Sequence, residues 1–433
     1  MKDSGVEWIG EIPKDWPINR VKYVCTEVLD QLPANTAPDF EFDYVDISSV
    51  TYDNGIINKE TMLFSTAPSR ARRIVRSGDI IFSTVRTYLK AIALIGEQEE
   101  NVIASTGFAV YRSISSDQRF LFYAMQNHSF VSTIEAHSTG VSYPAIASSK
   151  ISSFHIVFPD ITEQRRIVSK LDAKCSQLDK VVEQTRVTIE EYKKLKQAII
   201  TEAVTKGVRG PRPMKPSGME WIGDIPEEWV VLKTLWLLEM PITDGPHETP
   251  TLYDEGIPFI SAEAVSCGRG RIDFSHKRGY ISKEYYDECC KKYTPRLHDI
   301  YMIKSGATTG RVSMVDTEEV FTIWSPLAAL RANQEKMLPR FLFYSLQADY
   351  YQKQISLSWS FGTQQNIGMR VLEQLKIATP AADEQQEIAT YLDIKCAEID
   401  RIIEKKEQLI EELGSYKKSL IYEYVTGKKE VTA

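Results

Sequence analysis

The spacing of apolar residues predicts a long helix in the middle of the chain. No Pro or Gly occurs between Glu163 and Thr205, and seam positions recur there at alternating steps of four and three. These positions are Leu171, Cys175, Leu178, Val182, Thr185, Ile189 and Tyr192. A period of 3.5 residues is typical of a coiled-coil seam, and a stripe this narrow needs a partner helix.

A second helix near the end of the chain has the same register. Its seam positions are Leu392, Cys396, Ile399, Ile403, Lys406, Ile410 and Leu413, interrupted by Gly414. Pro159 and Pro380 precede the two helices, and Gly207 and Gly427 follow them, as helix boundaries require. We expect the helices to pair with each other; the alternative is a solvated charged helix without a specific partner.

The segments before each helix, about residues 20–158 and 231–379, have a different pattern. They contain short runs of β-branched and aromatic residues, broken by Gly, Asn, Asp and Ser. The clearest runs are Ile80–Phe82, Ala91–Ile95, Phe108–Tyr111, Ile300–Ile303 and Arg311–Val315. This pattern predicts mixed α/β domains.

The chain is an internal duplication. The segment Ser4–Trp16 (SGVEWIGEIPKDW) recurs as Ser217–Trp229 (SGMEWIGDIPEEW), and residues 159–205 match residues 380–426 at a constant offset of 221. The segments between these repeats, about residues 20–158 and 231–379, share only short identical stretches, such as FLFY at Phe120–Tyr123 and at Phe341–Tyr344. We therefore predict an α+β protein of two tandem pseudo-repeats, one fold with two different surfaces.

The repeats give the expected domain boundaries. They are a first mixed domain at 1–158, a first helix at 159–208, a linker at 209–216, a second mixed domain at 217–379, a second helix at 380–428 and a tail at 429–433.

Composition narrows the class of protein. With 433 residues and 43% hydrophobic content, the chain should form at least two packed domains. No apolar run is long enough to cross a membrane, and the residues Met1 to Ser4 do not begin a secretion signal, so we expect a cytoplasmic protein. The six cysteines are scattered and are expected to be reduced thiols.

Three repeated features resemble the specificity subunits of type I restriction-modification systems. They are the SGxEWIGxIPxxW motif, the P-x-x-x-E-Q-x-x-I start of each long helix, and the TEAVTKG end at Thr201–Gly207. The resemblance covers nearly the whole chain. It implies that each mixed domain is a target-recognition domain that reads half of a bipartite site in double-stranded DNA. It also implies that the helices form an antiparallel coiled coil.

The resemblance also implies partners. Two methyltransferase subunits would dock on the helices, restriction and translocase subunits would join the full complex, and S-adenosylmethionine would bind the methyltransferase rather than this chain. Two segments are similar to the family's pattern in its recognition domains, SGATTGRV at Ser305–Val312 and the loop Gly362–Asn366. The first copy departs from both, with STVRTYLKA at Ser83–Ala91 and Gly140–Pro144, where Ser142 and Tyr143 are the candidate contacts.

The net charge of −7 argues against a nucleic-acid partner, but local basic clusters matter more than the sum. Candidate DNA contacts in the first domain are Arg70, Arg72, Arg73, Arg76, Arg86, Tyr88 and Lys90. In the second domain they are Arg269, Arg271, Lys277, Arg278, Lys304 and Arg311. Arg and Lys commonly read guanine, whereas Gln and Asn read adenine. We therefore expect Gln364, Gln365 and Asn366 to read base edges, and Thr308, Thr309 and Arg311 to contact the groove or phosphates.

The chain contains no recognisable catalytic motif, so we expect a non-catalytic binding protein. It lacks the Pro-Pro pair of an amino-methyltransferase loop and a Walker A sequence. Pro159-Asp160 lies too far from Glu191 and Lys193 to form a convincing nuclease motif, and the Cys and His residues between Cys267 and His298 lack zinc-site spacing. Two alternatives stay open, a DNA-binding regulator without a methyltransferase and a coiled-coil adaptor that never touches DNA.

The repeated tryptophans Trp8 and Trp221 also allow two interpretations. Aromatic residues in such a motif can pack a domain onto a helix end or form a docking surface. We expect packing.

The helix length predicts the form of the DNA site. The 43 residues from Glu163 to Thr205 would span about 65 Å at roughly 1.5 Å per residue. If both domains reach one face of the duplex, the half-site centres lie about 10 base pairs apart, which leaves an unread gap of roughly 5 to 8. Methylome sequencing of the source organism should reveal a gapped two-part methyladenine motif; a continuous motif would contradict the prediction.

Overall fold

The computed structural model describes residues 1–97, 101–358 and 366–431. The chain divides into two compact units. Unit 1 comprises Met1–Thr185 and Glu407–Ala433, and unit 2 comprises Arg186–Lys406. Each unit therefore contains one mixed domain and a segment of each long helix.

The strands of the first copy, within the described residues, are β1 (Lys2–Asp3), β2 (Glu11–Ile12), β3 (Ile18–Arg20), β4 (Cys25–Glu27), β5 (Glu41–Val45), β6 (Val50–Thr51), β7 (Gly55–Ile56), β8 (Glu60–Leu63), β9 (Ala71–Ile74), β10 (Ile80–Ser83), β11 (Ile92–Leu94), β12 (Val102–Ser105), β13 (Phe108–Ser113) and β14 (His155–Val157). Its helices are α1 (Val21–Val24), α2 (Gln118–Gln126), α3 (His128–Ala136), α4 (Ser148–Ser153) and α5 (Ile161–Lys206). Short 3-10 helices cover Ile47–Ser49 and Thr87–Leu89.

The strands of the second copy, again within the described residues, are β15 (Met214–Pro216), β16 (Asp224–Pro226), β17 (Val230–Lys233), β18 (Thr243–Asp244), β19 (Ile257–Ile260), β20 (Gly279–Ile281), β21 (Ile300–Ile303), β22 (Val312–Met314), β23 (Thr322–Ile323), β24 (Leu327–Leu330) and β25 (Lys376–Thr379). Its helices are α6 (Ala262–Cys267), α7 (Lys283–Cys290), α8 (Pro339–Gln347), α9 (Asp349–Leu357), α10 (Met369–Gln374) and α11 (Ala382–Val425). Short 3-10 helices cover Thr234–Leu237 and Phe274–His276.

In each unit the main sheet has a fully buried central strand. Unit 1 has an antiparallel sheet of order β11-β10-β13-β4 and a mixed sheet of order β8-β5-β12-β9, in which β5 and β12 are parallel. Unit 2 has an antiparallel sheet of order β18-β24-β21-β22 and a mixed sheet of order β20-β19-β23. All residues of β10 and β21 are buried, and apart from Ser83 at the end of β10 both strands are apolar in the sequence. The predicted mixed α/β character is confirmed.

The two long helices and their pairing are also as predicted. Helix α5 covers the whole stretch Glu163–Thr205 that lacks Pro and Gly, and it lies within the expected helical segment 159–208. In unit 1, Lys417 Nζ lies 2.6 Å from Asp179 Oδ1, and Arg166 Nη2 donates to the Val431 carbonyl. The residue numbers rise on one helix as they fall on the other, so the segments are antiparallel.

In unit 2 the same direction holds, because Lys406 Nζ lies 6.0 Å from the ring centre of Tyr192 and Lys196 Nζ is 2.6 Å from Asp400 Oδ2. Polar seam residues also have local partners. The Thr185 hydroxyl donates to the Val181 carbonyl at 2.7 Å within α5.

The Glu-Gln motif at each helix start joins the helix to its mixed domain. The buried Gln164 side chain donates to the Pro159 carbonyl at 2.7 Å and accepts from the Asp117 backbone N–H at 2.9 Å, directly before α2. In the second copy Gln385 donates to the Pro380 carbonyl and accepts from Leu338 N–H, directly before α8. A buried amide that loses a partner is costly, so these bonds hold the two elements together.

The FLFY echo marks a second repeated contact. It lies on α2 and α8, where the hydroxyl of the last tyrosine donates to an aspartate of the long helix. Tyr123 bonds to Asp172 at 2.8 Å and Tyr344 bonds to Asp393 at 2.7 Å. Burial and the bond to Asp172 raise the pKa of Tyr123, which keeps its hydroxyl a donor at neutral pH.

Asp160, half of the candidate nuclease motif, has a structural role. Its carboxylate accepts from the backbone N–H groups of Thr162 and Glu163, both at 2.9 Å. It therefore caps the N-terminus of α5.

The opening motifs pack on helix ends, but Trp221 itself is exposed, so the packing expected of it is not found. In unit 1, Tyr422 and Lys428 donate to the Ile9 carbonyl, and Gly427 has a φ of +70°. A Cβ on Gly427 would lie 2.4 Å from Pro13 Cδ, so this helix end needs glycine for conformation and for space. In unit 2, Trp229 is fully buried with the end of α5, and its Nε1 donates to Glu384 at 3.0 Å.

Two findings bear on the composition. Across the three described ranges, no helix is both long enough and apolar enough to span a membrane.

Three cysteines are buried, and burial raises the pKa of Cys25 to about 12 and also raises that of Cys175 and Cys396. Their thiols are therefore protonated at neutral pH.

The packing of Trp8 generates a stability prediction. Its ring is 5.6 Å from that of Phe130, edge to face, and it packs against the core that includes the end of α11. Trp8→Ala should therefore lower the free energy of unfolding by up to about 3 kcal/mol. Differential scanning calorimetry would measure the melting temperature.

The exposed Trp236 is the control for that experiment, since its side chain is 55% accessible. Trp236→Ala should leave the melting temperature nearly unchanged. Equal melting temperatures for wild type and Trp8→Ala would instead favour a docking role for Trp8.

Candidate nucleic-acid interface

Each unit carries a pair of loops beside the end of its central strand. In unit 1 the strand β10 ends at Ser83, and the Ile146 N–H donates to the Thr84 carbonyl at 2.9 Å. Val85 and Ala145 also form an isolated antiparallel bridge. The loop after β10 and the loop before α4 therefore lie side by side.

Unit 2 has the same arrangement. The strand β21 ends at Ile303, the Ile367 N–H donates to the Lys304 carbonyl at 2.9 Å, and Ser305 bridges Asn366. The two segments singled out in each copy from sequence are thus neighbours in the fold. Gln364 and Gln365 lie outside the described residues.

A buried ion pair supports the start of each central strand. Asp79 and Asp299 precede β10 and β21, and each receives two hydrogen bonds of 2.7 Å from one guanidinium, Arg112 in unit 1 and Arg331 in unit 2. These bonds raise the pKa of both arginines. The bidentate geometry orients the strand, and with it the loop that follows.

In unit 1 four candidate residues meet at the loop pair. The guanidinium of Arg86 lies 5.2 Å from the ring centre of Tyr143, and Tyr88 and Ser142 are exposed beside them. Arg86 has a left-handed backbone with a φ of 53°. Lys90 also lies in this loop, but its Nζ is 3.0 Å from Glu135.

The four arginines between residues 70 and 76 do not form one patch. Arg70 is exposed and paired with Asp46 at 2.7 Å, whereas Arg76 lies 3.9 Å from Asp30. Arg72 and Arg73 are neighbours on β9, and successive side chains of a strand point to opposite faces of the sheet. Arg72 stacks at 4.4 Å on Phe64. Arg73 is partly buried, and its Nε and Nη1 have no hydrogen-bond partner within the described part of the chain.

In unit 2 three arginines converge. The turn after α6 carries Arg269 and Arg271, and it lies against β22 because the Met314 N–H donates to the Gly270 carbonyl at 3.0 Å. Arg311 Nη1 donates to the carbonyl of Ser266, in the last turn of α6, at 3.4 Å. All three side chains belong to exposed residues, and Arg271 also lies 3.4 Å from Asp316.

The loop between β21 and β22 is compact. The Thr309 hydroxyl donates to the Gly306 carbonyl at 2.7 Å, and Thr308 lies between them, half-buried. Gly310 has a φ of +93°, and the Gln352 side chain occupies the space that a Cβ would need. Asn366 is exposed next to this loop.

Lys304 is turned away from solvent. Its side chain is only 14% accessible, and its Nζ is 2.9 Å from the buried Asp244, which Lys292 also contacts. Burial raises the pKa of Asp244, but the hydrogen bonds from the two lysines outweigh it, so the pKa lies below its usual value. This geometry gives Lys304 a role in holding the strand end.

Two further basic residues stack on aromatic rings. The Arg278 guanidinium lies 3.8 Å from the ring centre of Trp324, and Lys277 Nζ lies 4.8 Å from that of Tyr280. Trp324 carries no sequence signal for this role, because it is distant from Arg278 in the chain and no local motif links them. Val141 likewise carries no sequence signal, although it is the most exposed large apolar residue among the described ones.

The family model for the type I restriction modification DNA specificity domain matches residues 33–191 and 247–412. The chain belongs to this type I specificity family. Each matched segment contains one of the two loop pairs.

Similar specificity proteins cover most of the chain. The type I restriction enzyme MjaVIII specificity subunit of Methanocaldococcus jannaschii is 23% identical over 97% of this chain and 94% of its own length. The type I restriction enzyme EcoBI specificity subunit of Escherichia coli is 23% identical over 73% of this chain and 66% of its own length.

Solved structures from type I systems have the same fold. A chain from a study of type I R-M complex assembly and conformational transition is 26% identical, with a TM-score of 0.72 over 97% of this chain and all of the other. The HsdS subunit from Thermoanaerobacter tengcongensis is 25% identical, with a TM-score of 0.50 over 99% of this chain and all of the other.

For this specificity protein the arginine cluster generates a binding prediction. Arg311→Ala should weaken binding to its DNA site about tenfold and reduce the salt dependence of binding by about one ion, if Arg311 contacts a phosphate. Fluorescence anisotropy at several salt concentrations would measure both. Lys405→Ala, which removes the same charge from the exposed surface of α11, is the control and should change neither.

Proposed function

We propose that this chain directs a type I methyltransferase to a bipartite DNA sequence and catalyses no reaction itself. The observation that carries the proposal is the repeated loop pair. Each unit has the same strand end, the same supporting ion pair and the same bridge between loops, yet the exposed side chains differ. Two domains that share one scaffold but differ in their exposed side chains are suited to recognise a DNA site with two different halves.

The exposed chemistry of the loops fits DNA. Arginines can bind phosphates or read guanine bidentately, and an amide such as that of Asn366 can read adenine. In unit 2 the exposed Arg269, Arg271 and Arg311, near the end of α6, provide local positive charge that the net charge of the chain conceals. The loop pairs would contact the DNA, and the long helices would support the domains that carry them.

The surface of the helix pair supports two docking sites for a partner. In a coiled coil, heptad position g directly precedes the seam position a and usually carries Lys or Glu. In this helix pair position g is often apolar and exposed. Unit 1 has Val181 on α5 and Tyr416 on α11, and unit 2 has Leu195 on α5 and Ile402 on α11.

The two patches are copies of each other. Subtracting the repeat offset of 221 from 402 gives 181, and from 416 gives 195. Position g of one helix faces position g of the other in an antiparallel pair, so both members of each patch flank the seam on one side. We infer that each patch docks one methyltransferase subunit, giving two per chain. S-adenosylmethionine would be held by that subunit, and restriction subunits would join the complete assembly.

Co-expression with the cognate methyltransferase subunit tests this function. Native mass spectrometry should give two methyltransferase subunits per chain, and the complex should methylate a gapped site. Tyr416→Glu and Leu195→Glu should each remove one subunit, because a buried unpaired carboxylate disfavours docking. Both substitutions together should remove both.

The exposed Val320 provides the matched control, since Val320→Glu introduces the same charge away from the helices. Unchanged stoichiometry in the helix variants would contradict the docking patches. A wild-type complex that modifies no specific site would contradict the function itself.

A further inference from the structure

In unit 1 the loop before α4 holds an aliphatic side chain out in solvent. Thr139 and Ala145 exchange both backbone hydrogen bonds at 2.9 Å, which closes a tight loop over residues 140–144. Val141 at the tip is fully accessible, at 102%, and Tyr143 is 66% accessible. A single exposed apolar residue is ordinary, but this one stands at the apex of a structured loop.

The loop is rigidly mounted. Its base is held to the strand end by the bond from Ile146 N–H to the Thr84 carbonyl, and the Thr87 N–H points to the Pro144 carbonyl at 3.4 Å. Gly140 has a φ of +114°, and a Cβ there would lie 3.0 Å from the Tyr143 carbonyl oxygen. The backbone hydrogen bonds therefore anchor the base of the loop, from which Val141 projects into solvent.

The neighbours of Val141 identify the kind of surface that would cover it. Arg86 stacks on Tyr143 at the base of the same loop. A cation beside a single aliphatic group matches a DNA groove, which offers phosphates to the cation. In the major groove, the methyl group of thymine is the apolar partner.

The second copy carries a different kind of side chain beside the end of its central strand. There Asn366, which is exposed and bridges Ser305, has an amide side chain suited to adenine. The two loops thus differ in the kind of base edge that they can recognise.

We propose that Val141 reads one thymine methyl group of the first half-site by apolar contact in the major groove. This inference rests on the proposed function and names a specificity-determining residue for it.

Deoxyuridine scanning tests the contact, since deoxyuridine lacks only the methyl group of thymidine. The complex of the full chain with its methyltransferase subunit is titrated with duplexes of the methylome-defined site, each with one thymine replaced. One replacement in one half-site should weaken binding by the wild type about fourfold, the value of one buried methyl group. Val141→Ala should bind the thymine and uracil duplexes equally at that position.

Val320→Ala, an exposed valine in unit 2, is the matched control and should keep the full sensitivity. The inference is overturned if Val141→Ala stays as sensitive as the wild type at every position, or if it weakens binding to both duplexes equally, as an intercalating wedge would. A wild type that binds the site no better than random duplex would contradict the proposed function, and with it this contact.

Discussion

The pairing of α5 with α11 is the interaction on which both units depend. In unit 1 the core holds Leu171 and Cys175 of α5 together with Leu420 and Ile421 of α11. In unit 2 the end of α5 and the start of α11 enter one core with Trp229. A helix with so narrow an apolar stripe cannot bury it alone, so each mixed domain completes its core with a segment from the other half of the chain.

This exchange explains the placement of the opening motifs. The second motif follows α5 directly and packs on its end, around Ile200 and Val204. In the first copy, the end of α11 packs on the motif in the same way, through Leu420 and Tyr424. The residues that begin the chain and those that close it therefore belong to one compact unit, although hundreds of residues separate them in sequence.

The repeated parts and the different parts of the two units follow from burial. The ion pairs of Asp79 and Asp299 and the amides of Gln164 and Gln385 are buried, and removal of one partner would leave an uncompensated polar group. Loop residues such as Val141 and Arg311 face solvent, where a substitution costs little stability. One scaffold can therefore carry two recognition surfaces.

The sequence by itself determined the duplication, the two helices with their seam, the central strands and the family. These features are periodic or local, and a seam such as Leu171 to Tyr192 or a buried run such as Ile300–Ile303 can be read without the fold. Only the tertiary structure decided which basic residues are available. Lys304 is committed to Asp244, the arginines from 70 to 76 are divided among separate partners, and Arg311 joins Arg269 and Arg271. Charge and exposure of a side chain depend on long-range neighbours, and one-dimensional spacing does not contain them.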